Sequence, residues 1–142
     1  MSDPEPPPIK AFLSRRVSEG VTAEQIAGTI AGAWRQIGLA MSPVIGQRGA
    51  AALYKRSLHL AGTTHRCLAP VNADGLADAD LDALKNVLAR QSAADAAAAG
   101  TSLLLSFHDL VGSLIGPALS AQLLGAVWVK FFSGPAAQDP SP

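Results

Sequence analysis

Twenty consecutive residues, Leu110 to Val129, carry no charged side chain. A run of that length can cross a bilayer as a helix, fill the middle of a helical bundle, or hold a reactive residue at its edge. Gly112, Ser113, Gly116, Pro117, Ser120, Gln122 and Gly125 dilute its hydropathy. Lys130 follows it alone, without the basic cluster that orients a membrane span. The expectation is therefore the central element of a bundle rather than a membrane association.

The rest of the chain points to helices. Of 142 residues 49% are apolar and 15% charged, which favours a packed core over disorder. Alanine and leucine supply much of the apolar count, aromatic residues only 5%, and no segment sustains a period-two alternation. The fold class read from this is all-α, a compact bundle of four to six helices kinked or broken at Pro43 and Pro117. Those two joints suggest two similar kinked hairpins.

Ile9–Ser18 spaces Ile9, Phe12, Leu13 and Val17 as a short docking helix that Gly20 ends. Thr22-Ala-Glu-Gln25 has the pattern of a capping box. The stripe Ile26, Ile30, Ala33, Ile37 and Met41 follows, with Trp34 on its flank. Asp78, Asp80 and Asp82 suit the start of a helix that buries Leu81, Leu84 and Leu88. A long helix from about Ala93 uses Leu103, Phe107, Leu110, Val111 and Leu114, and a last one uses Leu119, Leu123, Val127 and Phe131. Domain organisation is read as a proline-rich tail over 1–8, one helical-bundle domain over 9–133, and a second tail over 134–142.

Formal net charge is zero, which argues against a general nucleic-acid binder. The charges are nevertheless segregated. Residues 1–66 hold eight Lys/Arg against four Asp/Glu, and residues 67–142 hold three against seven. Such a split pairs the two halves or orients an external partner. Cys67 is the only cysteine and the N-terminus shows no signal-peptide pattern, so a reducing cytoplasm is expected. The Ala/Gly-rich composition suggests a bacterial protein.

On a helix through 48–66, Arg48, Lys55, His59 and Arg66 fall within about 20° of one line, with Arg56 to one side. These five residues are the candidate partner-binding ridge, suited to an acidic or phosphorylated protein. His59, His65 and Cys67 lack the spacing of a metal site. No phosphate-cradling glycine loop or nucleophile elbow occurs. No metal, cofactor or catalytic residue is expected. A small apolar patch left between amphipathic helices would allow a homodimer.

His108, Leu110, Gly112 and Ser113 form a pattern that resembles the phosphoacceptor motif of the histidine-phosphotransfer domains of bacterial phosphorelays, themselves helical bundles of similar size. The resemblance covers about nine residues and implies His108 as phosphoacceptor. Val111 occupies the place of that family's lysine. The function expected from the whole sequence is a non-catalytic regulatory or adaptor module acting by protein–protein contact, in bacterial signalling. The first alternative is a phosphotransfer protein of a two-component relay. The second is an apolar-ligand or membrane-associated helical protein using Leu103–Phe132.

Overall fold

The computed structural model describes residues 8–69, 71 and 78–133. They form five α-helices: α1 (Ile9–Ser18), α2 (Ala23–Gly62), α3 (Asp78–Ala89), α4 (Ala93–Ile115) and α5 (Pro117–Ser133). A single 3-10 turn, Arg66–Leu68, follows α2. The described residues contain no strand. The all-α bundle expected from the sequence is the observed architecture. The expectations for residues 1–7, 72–77 and 134–142 lie outside the described residues.

Local chemistry sets several helix ends. The Thr22 hydroxyl accepts the Gln25 N–H at 3.1 Å, while the Gln25 side chain accepts the Thr22 N–H at 3.0 Å, completing the capping box. Ser92 caps α4 by accepting the Asp95 N–H at 3.0 Å. Pro117 opens α5, a position where its missing N–H costs nothing and its fixed φ suits the helix.

α2 does not run straight. Trp34 and Tyr54 are twenty residues apart, which would separate them by about 30 Å on an uninterrupted helix. Their ring centroids are 4.7 Å apart. The chain reverses at Gly46, whose φ of 79° and ψ of 165° belong to a region that only glycine adopts without strain. The break announced by Pro43 thus falls three residues beyond it. The ascending limb (23–45) carries Pro43 within its last turn, where Ser42 Oγ donates to the Gly38 carbonyl at 2.7 Å.

The second reversal has the same construction. Gly116, with φ 90° and ψ 152°, separates α4 from α5. His108 and Trp128, again twenty residues apart, approach to 6.4 Å between ring centroids. The fold is therefore two helical hairpins, with α1 and α3 packed against them.

α2 and α4 share the largest interface. A Cβ placed on Gly100 would stand 2.6 Å from Ile30 Cδ1, so glycine is what lets these two helices approach. Farther along both helices Trp34 meets Phe107 at 4.9 Å. Both pairs advance in the same sense, so the two helices run parallel. Gly46 lies sixteen residues beyond Ile30 and Gly116 sixteen beyond Gly100, which sets both turns at one end of the bundle.

Trp34, Tyr54, Phe107, Ile30, Ile37, Met41 and Val111 are fully buried between the hairpins. Trp34, on the flank of the Ile26–Met41 stripe, is fully buried at the centre of the core. At the opposite end, Phe12 of α1 packs on Phe131 at 5.1 Å and Phe132 at 5.4 Å. Leu114 and Leu119, expected inside, are 60% and 41% exposed, while Ser120 and Leu124 point inward. The charge-free run is therefore not the central element expected of it: it contributes Val111, Ser120, Leu124 and Val127 to the core, whereas the most buried stretch of α4 precedes it, from Ala96 to Phe107.

Candidate functional site

The returning limb of α2 (47–62) buries Ala50, Tyr54, Ser57, Leu58 and Ala61. Its opposite face is left to solvent, and Arg48, Lys55, Arg56 and His59 are all exposed there. Arg48, Lys55 and His59 lie on one line along about 16 Å of helix. α2 ends at Gly62, so Arg66 does not extend that line on the same helix, as the sequence spacing suggested. It is instead presented, also exposed, by the 3-10 turn beyond Thr63 and Thr64. Arg56 projects from one side of the line.

Electrostatics reinforce the ridge. No Asp or Glu occurs between Glu24 and Asp74. Arg16 pairs with Glu19 at 3.9 Å beside the end of α1, away from the ridge. Its cations therefore present their charge to solvent.

Lys55 and His59 also stand at the rim of a cleft of about 360 Å³. Leu58, Leu68 and Val71 supply an apolar floor, and Gly62, Thr63 and Ala69 close the sides. The sequence pattern gave no sign of this cleft, because the 3-10 turn that folds Leu68 back under α2 has no strong local signal. The arrangement offers an ammonium group and an imidazole beside a small, largely apolar depression, groups that suit an acidic side chain flanked by an aliphatic residue.

Other candidates stand apart from the ridge. Cys67 is half-buried, and its thiol is pushed above the usual value chiefly by burial and secondarily by Asp95. That environment makes a sluggish nucleophile. Burial also pushes the Tyr54 hydroxyl far above its usual range, with the Asp80 charge acting in the same direction. Tyr54 Oη and Trp34 Nε1 are buried without a hydrogen-bond partner. Among the described residues no three His, Cys, Asp or Glu side chains come together as a metal site would require.

His108 is half-buried on α4, with Nδ1 enclosed and unpartnered and its ring tilted toward Trp128. Gly112, one turn on, opens to empty space, and Val111 is buried in the core. His108 and the basic ridge belong to different hairpins. Among the described residues one helix, Ala93–Ile115, is long and apolar enough to cross a membrane. No protein-family model matches the chain, and no curated protein or solved structure matches it.

Proposed function

We propose that this chain is a non-catalytic helical interaction module of a regulatory kind, which docks an acidic segment of another protein along the returning limb of α2. The observation that carries this reading is the alignment of Arg48, Lys55 and His59 on one exposed face, with Arg56 and Arg66 beside it. Exposed cations contribute little singly, but several on a rigid helix steer and orient an acidic partner together. The cleft under Lys55 and His59 adds a place for an apolar anchor, which gives such an interface its affinity.

A fluorescein-labelled polyglutamate peptide serves as the probe. Its anisotropy should rise on adding the protein, and the affinity should fall with salt. The double variant Arg48→Glu/Lys55→Glu should weaken binding by about tenfold, since two attractions become repulsions of up to about 1 kcal/mol each. Reversing Lys10 and Arg15, both exposed on α1, should leave the affinity unchanged. Equal loss in both double variants would reduce the interaction to net charge and sink the ridge as a site.

A further inference from the structure

The end of the bundle where both hairpins turn is poor in charge and exposes aliphatic side chains beside the polar Gln47, Ser113 and Gln122. The described residues include five large apolar side chains that are well exposed: Leu39, Val44, Leu114, Leu119 and Val129. Three of the five, Val44, Leu114 and Leu119, lie within six residues of Gly46 or Gly116. Within six residues of either glycine the only charged side chain is Arg48. At 1.5 Å per residue this makes a cap about 9 Å deep whose one cation, Arg48, stands about 3 Å from the turn. Asp109 on α4 and Arg35 on α2 lie farther back, and Lys130 is near the far end of α5.

We infer that this cap is a membrane-contact surface, the two hairpin tips entering the interfacial layer of an anionic bilayer. The depth matches the roughly 5–10 Å to which apolar protein surfaces enter the boundary between headgroups and acyl chains. Arg48 lies level with Val44 and Leu114, and a long arginine side chain keeps its stem among aliphatic groups while its guanidinium reaches lipid phosphates. The most apolar stretch of α4 is only 39% buried, whereas a helix serving the core alone would be mostly covered. A second copy is a poorer occupant. Four helix ends, each about 10 Å across, offer roughly 400 Å², half of the approximately 800 Å² per partner that a stable interface uses. The inference is separate from the docking ridge except at Arg48.

Flotation with vesicles of phosphatidylcholine, alone or mixed with phosphatidylglycerol, tests it. The protein should float with both kinds, and more of it with the anionic one. The triple variant Val44→Asp/Leu114→Asp/Leu119→Asp should lose at least about tenfold of the bound fraction, with helicity by circular dichroism unchanged because all three positions are exposed. Arg48→Gln should remove only the increment due to phosphatidylglycerol. Lys55→Glu/Arg56→Glu, which disables the peptide ridge, should leave flotation with pure phosphatidylcholine intact. Absence of flotation with either vesicle would overturn the inference, and so would flotation that the triple variant leaves undiminished. A protein that sediments as a dimer, becomes a monomer in the triple variant and ignores vesicles would assign the cap to a second copy instead.

Discussion

The hairpin made by α2 and the one made by α4 and α5 both turn at an isoleucine–glycine pair, Ile45-Gly46 and Ile115-Gly116. Their glycines adopt nearly the same conformation, with φ of 79° and 90°. Beyond the turn they diverge. The first hairpin carries Arg35, Arg48, Lys55 and Arg56 against the single acid Glu24, and its returning limb shows solvent a cationic face. The second carries Asp95, Asp109 and Lys130 at its outer parts and nothing charged from 110 to 129. One backbone device therefore supports two unlike surfaces. The turn determines where a helix goes back, and the residues facing away from the core determine what it meets.

The comparison treats the hairpins as halves of one core, and the largest expected effect tests that. Trp34 packs on Tyr54 of its own hairpin and on Phe107 of the other. Trp34→Ala should cost about 3–5 kcal/mol in urea unfolding. It leaves Trp128 as the sole tryptophan, reporting on the second hairpin. Trp128 emission and helicity should then be lost in one transition at lower urea. Two separate transitions would mean that the hairpins fold independently.

The equivalence of the turns is tested next. Gly46→Ala and Gly116→Ala each force a side chain into a conformation that costs about 1–3 kcal/mol, and each should lower stability by that amount. A loss at one turn and none at the other would end the parallel between them.

Much of the first hairpin's layout was legible in the sequence, and less of the second's. Ile9–Ser18 and the start of α2 follow from signals held within a few residues: a glycine stop, a capping box, and polar residues opposite the stripe from Ile26 to Met41. The Gly46 break was hidden because Pro43 is the more familiar interrupter, yet proline ends a helix only when the following residues can leave it. In α5 the expected face is observed at Val127 and Phe131, and in part at Leu123, but Leu119 is exposed and Leu124 is buried, because no charge marks an outer face there and packing on α2 and α4 selects the inner one. The ridge residues were legible because charge spacing on a helix survives without tertiary information. The cleft beside them was not, since it depends on where the 3-10 turn returns.

The smallest effect at neutral pH concerns Tyr54, the only tyrosine. Its hydroxyl is harder to ionise in the folded chain than in the unfolded one, where the ordinary value is 10.0. The stability it contributes is therefore complete below that pH and lost progressively above it. In an alkaline titration tyrosinate absorbance should appear together with the loss of helicity. Tyrosinate formation in a chain that remains fully helical would show the returning limb of α2 to be open to solvent.

The division of labour between the hairpins is tested most directly by titrating the isotopically labelled protein with the polyglutamate peptide and following its amide NMR signals. Saturable shifts should concentrate on residues 47–62 and around Arg66, leaving those of α4 and α5 in place. Shifts centred on α4 and α5, or spread evenly over every exposed cation, would contradict the assignment of partner docking to the first hairpin.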